Sequence, residues 1–243
     1  MTNKKFKLAA MSLATAVAVS AVGPSASAVT YYLGDGSVTV DQDENRGAFS
    51  YQGEDQGDKN RTYVNDDKAK TGDGTIYVEN GNGPSTDNSN NGTEENTPTD
   101  NATQSNDASV NNAENSAPAE TTNTITVKED VQDATIVVNG VNADTSETGK
   151  STVTIGEGAN VDLTVKDSNL TTGGNGIDIG VNLKDGDDNK ETNVDLTLDN
   201  TQINLTQNGK VGINVQDNSD VALTLKGDDN LIDGSEAIKN VTK

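Results

Sequence analysis

The chain has 243 residues and contains no cysteine, histidine or tryptophan. Without cysteine there is no disulfide, so the fold rests on non-covalent packing alone. Without histidine or cysteine, Ser-His-Asp and Cys-His nucleophiles and the usual zinc ligand sets are excluded. Positive charge is scarce: 17 Lys and Arg face 39 Asp and Glu, a formal charge of −22. Such a surface is repelled by nucleic acid and by anionic membranes, and it attracts cations. No aromatic residue follows Tyr77. The longest apolar run, Leu8–Val22, is too short to span a bilayer comfortably.

That run has the context of an export signal. Lys4, Lys5 and Lys7 precede it, and Ala26-Ser27-Ala28 follows. Residues 1–28 therefore read as a signal peptide. Its removal takes three lysines and no acid, leaving −22 − 3 = −25.

The rest of the chain is organised around a repeat. Asn160-Val-Asp-Leu-Thr-Val-Lys-Asp-Ser-Asn-Leu170 returns at Asn193–Ile203 and at Asp220–Leu231, with a looser copy at Asp133–Ala143. The copies align on Ala134, Val161, Val194 and Val221, in steps of 27, 33 and 27 residues. A polar insert, Lys184–Thr192, accounts for the longer step. A period of this size marks stacked repeats. Within each copy the apolar residues alternate, as in Val161/Leu163/Val165, which predicts a strand with one buried face. A second strand is expected before each, at Thr124–Val127, Thr152–Ile155, Ile177–Val181, Val211–Val215 and Ala237–Val241, and the step at Leu170, Ile203 or Leu231 offers a third. Burying an aliphatic side chain gives roughly 1.5–3 kcal/mol, and ordering the backbone costs about 1–2 kcal/mol per residue. One repeat alone is therefore unstable, and the array forms only by sharing faces. Two stacked columns are expected: Thr164/Thr197/Thr224 facing outward, and Asn142/Asn169/Gln202/Asp229 at a turn.

The expected fold is all-β: a right-handed parallel β-helix over 124–243 with about 27 residues per coil, truncated at its C-terminal side or covered there by a partner. A small β segment over 29–80 carries Tyr31, Tyr32, Phe49, Tyr51, Tyr63, Tyr77 and both arginines, Arg46 and Arg61. Strands are expected there at Ser37–Val40, Ala48–Gln52, Thr62–Val64 and Thr75–Glu79, forming a cap or a separate module whose aromatics make its core. Residues 81–123, rich in Asn, Thr, Ser and Asp, read as a disordered linker.

Val194–Ile203, Gly212-Ile-Asn-Val215 and Leu223–Gly234 resemble the secreted right-handed parallel β-helix proteins of Gram-positive bacteria described as carbohydrate-binding or adhesin-like. The resemblance covers about the last half of the chain. It implies extracellular display, binding to acidic or plant-type polysaccharide, and calcium in some members; the expected location is secreted or cell-surface, and the expected partner is an extracellular polysaccharide or a host or cell-surface receptor.

The residue types define the candidate chemistry. Hard cations take several oxygen ligands, which Asp and Asn turns supply. Asp185, Asp187, Asp188 and Asn189 form the densest candidate calcium set, with Asp217 and Asp220, and Asp228 and Asp229, as further turns. Lys166, Asp199 and Lys226 occupy equivalent outward positions and read as a charge-paired row. No catalytic residue is assigned. The expected function is a non-enzymatic adhesin or polysaccharide-binding stalk, and the alternative is a polysaccharide lyase or hydrolase on the same fold, which would draw on such Asp and Lys side chains.

Overall fold

The computed structural model describes residues 29–63, 74–82, 120–184, 190–234 and 236–240. The expected signal segment and residues 83–119 of the expected linker lie outside them. The strands are β1 Val29–Tyr32, β2 Val38–Asp43, β3 Gly47–Gln52, β4 Thr62–Tyr63, β5 Thr75–Glu79, β6 Ile125–Val127, β7 Ala134–Asn139, β8 Asn142–Thr145 and β9 Val153–Gly156. They continue as β10 Asn160–Lys166, β11 Asn169–Thr172, β12 Ile177–Val181, β13 Thr192–Asp199, β14 Gln202–Leu205, β15 Val211–Val215, β16 Ser219–Lys226, β17 Leu231–Asp233 and β18 Glu236–Asn240. Among the described residues the only helical structure is two short 3-10 turns, so the described part of the chain is all-β.

Three strands from each repeat feed three different sheets. The orders are β1-β5-β7-β10-β13-β16, β17-β14-β11-β8 and β18-β15-β12-β9-β6-β2-β3-β4. From β6 onward every pairing is parallel, and equivalent residues of successive repeats lie side by side: Ala134, Val161, Val194 and Val221 form one row. Alternation decides which face is buried. Val161, Leu163 and Val165 point into the core while Asp162 is exposed, and β13 repeats the pattern. Aliphatic residues of all three sheets join in one continuous core. Gly176 and Gly212 are neighbours in this stack, packed so closely against Ile203 and Ile232 that neither site has room for a Cβ.

The third strand is real. β11 and β14 carry Leu170 and Ile203 inward, as the sequence suggests. In the last repeat, however, the residue in register with Ile203 is Ile232, not Leu231. Two residues separate Asp199 from Gln202, but four separate Lys226 from Leu231. The longer turn shifts the register by two residues, which sets Leu231 beside exposed Gln202, facing outward. For the same reason Asp229 lies in the turn before β17, outside the Asn142/Asn169/Gln202 row.

The N-terminal segment stacks on the repeats. β5 lies parallel to β7 with Ile76 beside Ile136, and β2 lies parallel to β6. Antiparallel β2, β3 and β4 then close that edge of the eight-stranded sheet. Phe49, Tyr51 and Tyr63 form a second, small core. Arg46 lies 3.5 Å above the Tyr63 ring and Arg61 4.4 Å above Phe49, each also paired to an aspartate, Asp58 or Asp55. Two arginines thus roof the aromatics through cation–π contact. The ends of the expected linker are tied down: Gly34 N–H donates to Gly81 O, and Thr121 Oγ1 and Asn123 Nδ2 both donate to Leu33 O.

Truncating the core should cost far more than trimming the outer face. Leu163→Ala is expected to lower stability by about 2–5 kcal/mol, and Thr164→Ala to change it by less than about 0.5 kcal/mol, as read from the midpoint of urea denaturation.

Candidate functional site

Three surfaces gather polar chemistry. The first is the corner where β7, β10, β13 and β16 turn toward β8, β11, β14 and β17. The residue after each strand, Gly140, Asp167, Asn200 or Gly227, has a positive φ of 64°, 47°, 50° or 72°. Gly, Asn and Asp adopt this left-handed conformation most readily, which is why the turn selects them. The turn also extends the ladder between repeats, since the N–H groups of Gly140, Asp167 and Asn200 donate to the carbonyls of Lys166, Asp199 and Lys226. Asn204 Nδ2 donates to Asn169 Oδ1 at 2.7 Å, and Asn169 Nδ2 donates to Asn142 Oδ1 at 3.1 Å. The amide ladder is present, but it runs through Asn204 rather than Gln202, which leaves Gln202 exposed. Asn142, Asp167, Asn169, Asn200, Gln202 and Asp229 line an open groove of about 420 Å³ here.

The second surface is the opposite corner, where the eight-stranded sheet passes its chain to the six-stranded one. Glu129 is 7% exposed. Its Oε1 accepts the backbone N–H groups of Leu183 and Lys184, and its Oε2 lies 3.4 Å from Lys184 Nζ. Glu157 accepts from Lys190 N–H at 2.8 Å and from Asn182 Nδ2 at 3.3 Å. Lys190 Nζ donates to Asp130 Oδ2 at 2.8 Å. Carboxylates from two earlier repeats therefore clamp both ends of the insert. Glu129 and Glu157 were not singled out from the sequence. A signal was available: aligning Thr126-Val-Lys-Glu129 with Thr154-Ile-Gly-Glu157 puts the two acids at one position.

The third is the outward face of the six-stranded sheet. Thr164, Thr197 and Thr224 stack as expected, and the same column continues through Val137 to Tyr77 and Thr30. Tyr77 is therefore on the face of the repeats, half-buried. Beside this column Asp162 neighbours Asp195. Burial, then repulsion from Asp195 and Asp133, raises the Asp162 carboxyl above its ordinary pKa. Lys166, Asp199 and Lys226 share a row, but the ion pair that Lys166 makes, at 3.5 Å, is with the adjacent Asp167.

The candidate calcium residues fall into separate turns. Asp185, Asp187, Asp188 and Asn189 lie outside the described residues. Asp217 and Asp220 flank the start of β16, at the insert's corner, while Asp228 and Asp229 follow its end, at the groove. The eight residues of β16 hold the two turns roughly 25 Å apart. Among the described residues, no three His, Cys, Asp or Glu side chains converge as metal ligands.

Two predictions follow from the carboxylates. Glu129→Ala removes the charged acceptor of two part-buried N–H groups, those of Leu183 and Lys184, and should lower stability by about 1.5–3 kcal/mol, measured by urea denaturation, whereas Glu147→Ala, at an exposed position, should be near neutral. For Asp162, a folded-state pKa above the unfolded value means that the native state favours the protonated acid. That stability is present at acid pH and is lost as pH rises through the folded pKa. Asp162→Asn should therefore raise the melting temperature at pH 7 and lose its advantage near pH 3, an effect kept below about 0.5 kcal/mol by solvent screening. Comparison of the chain with protein-family models, with curated proteins and with solved structures returns no match.

Proposed function

We propose that this chain is an exported, non-enzymatic right-handed parallel β-helix that acts as a surface adhesin or polysaccharide-binding stalk. The observation that carries the reading is the open groove along the amide ladder, which crosses successive repeats and is lined by Asn, Gln and Asp. Parallel strands repeat every 4.7–4.9 Å or so, and the groove therefore offers hydrogen-bonding groups at regular intervals to an extended polymer. The groups are amides and carboxylates, suited to hydroxyl-rich ligands. Tyr77, in line with the threonine column, adds one aromatic surface. The resemblance of Val194–Gly234 to secreted carbohydrate-binding β-helix proteins supports the same class of ligand, as does the export signal read at 1–28. Calcium is the cation such an acidic display would recruit, at the turns bearing Asp217/Asp220 and Asp228/Asp229.

The test is binding of residues 29–243 to a panel of extracellular polysaccharides and to whole cells, with calcium and with chelator. Gln202→Lys/Asp229→Lys should weaken glycan binding about tenfold, near 1.4 kcal/mol, with an unchanged melt, because both side chains are exposed. No binding to any glycan or cell would refute the reading. Equal binding by the double variant would move the site away from the groove.

A further inference from the structure

We propose that Asn208 is a site of spontaneous covalent modification, where the fold leaves an asparagine free to cyclise onto the following glycine and convert to isoaspartate. Asparagine precedes glycine at positions 80, 82, 91, 139, 175 and 208. In such a pair the glycine nitrogen can attack the side-chain amide, because glycine has no Cβ to hinder the approach. The attack needs a backbone N–H that no acceptor holds, a side-chain amide that can rotate, and room to move. Four of the pairs lie wholly within the described residues, and the structure sorts them.

Three pairs are locked. Gly140 N–H donates to Lys166 O at 3.0 Å, so the nitrogen beside Asn139 belongs to the ladder between repeats. Gly176 N–H donates to Val211 O at 3.0 Å, and both polar atoms of the Asn175 side chain are held: Nδ2 donates to Asp178 Oδ2, and Oδ1 accepts Val211 N–H. Asn80 Oδ1 accepts Asn142 N–H at 3.1 Å, and Gly81 O accepts Gly34 N–H. Asn208-Gly209 differs on every count. It sits in the exposed turn between β14 and β15. Among the described residues nothing accepts the Gly209 N–H and nothing bonds the Asn208 side chain. A Cβ added at Gly209 would meet no atom within 4 Å.

The reaction consumes only water. Gly209 N bonds to Asn208 Cγ, the Cγ–Nδ2 bond breaks, and ammonia leaves with the proton of the Gly209 N–H. Water then opens the cyclic imide. Cleavage between the nitrogen and Cγ gives aspartate, and cleavage between the nitrogen and the main-chain carbonyl gives isoaspartate, whose backbone runs through Cβ and Cγ. Either product puts a carboxylate where a neutral amide stood. The stack tolerates the longer backbone because the turn is tied on both flanks by bonds it does not share: Thr206 N–H donates to Thr172 O, and Val211 N–H to Asn175 Oδ1.

Incubation of the mature chain, residues 29–243, at mildly alkaline pH tests the site, with conversion followed peptide by peptide by mass spectrometry and isoaspartate read by enzymatic methylation. Asn208 should convert at least about tenfold faster than Asn80, Asn139 or Asn175, whose reaction must wait for local opening of the stack. Gly209→Ala should slow conversion at Asn208 and leave the other sites unchanged. In urea, where the hydrogen bonds are gone, the four pairs should react at similar rates. Absence of isoaspartate at Asn208, conversion of any of the three locked pairs as fast as Asn208 in the folded chain, or a lead of Asn208 that persists in urea overturns the proposal. Should Gly209→Ala disturb the turn, the comparison of folded and unfolded parent chain still decides.

Discussion

In-register stacking of like residues on like residues is the constraint from which the rest of this structure follows. A strand such as β10 buries Val161, Leu163 and Val165 only because Ala134, Ile136 and Val138 lie on one side and Val194, Leu196 and Leu198 on the other. No single repeat encloses its own apolar residues, so stability is a property of neighbours. The period must hold wherever strands pair, and variation in length is confined to the corners. The insert after β12 shows how this is managed. Glu129 and Glu157 of the two preceding repeats hold the backbone at its two ends, at Leu183, Lys184 and Lys190. A buried carboxylate is stabilised when it accepts several N–H groups, and here the loop and the acids satisfy each other.

The same stacking shapes the surface. Whatever a repeat places outward, the next repeat places beside it, one strand spacing away. Threonine stacks on threonine and amide donates to amide at little expense. Aspartate stacked on aspartate does not share that advantage, and the raised carboxyl of Asp162 beside Asp195 is the consequence. The acidity of the chain thus has a local electrostatic expression on the sheet face as well as a global one. A surface of this kind suits hydrated, hydroxyl-rich ligands and divalent cations better than nucleic acid, which agrees with the adhesin or stalk proposed here.

The outermost described strands differ between the N-terminal side of the array and β16. On the N-terminal side the eight-stranded sheet turns antiparallel, Phe49, Tyr51 and Tyr63 gather under Arg46 and Arg61, and among the described residues no large aliphatic side chain is exposed there. In β16, Leu223 and Leu225 are exposed where their register partners Leu196 and Leu198 are buried. Aromatic residues and arginine, concentrated in 29–80, are used mainly for a second small core, Tyr77 excepted.

By itself the sequence determined the periodic part of this protein. Alternation in β10, β13 and β16, the recurrence of equivalent residues, and the Gly, Asn and Asp turns made parallel stacked strands legible, because period and side-chain direction are local properties of the chain. The threonine column and the row of Lys166, Asp199 and Lys226 were legible for the same reason. What only the tertiary structure decided lies where local pattern breaks. Two extra residues after β16 moved Ile232 into the place expected of Leu231 and took Asp229 out of the amide row. The amide ladder chose Asn204 over Gln202, because hydrogen-bond reach depends on the direction of each side chain and not on its place in an alignment. Tyr77 joined the threonine face across 59 intervening residues, and Glu129 met Leu183 and Lys184 across more than fifty. Such contacts join segments whose separation along the chain carries no period, so their geometry exists only once the sheets have formed.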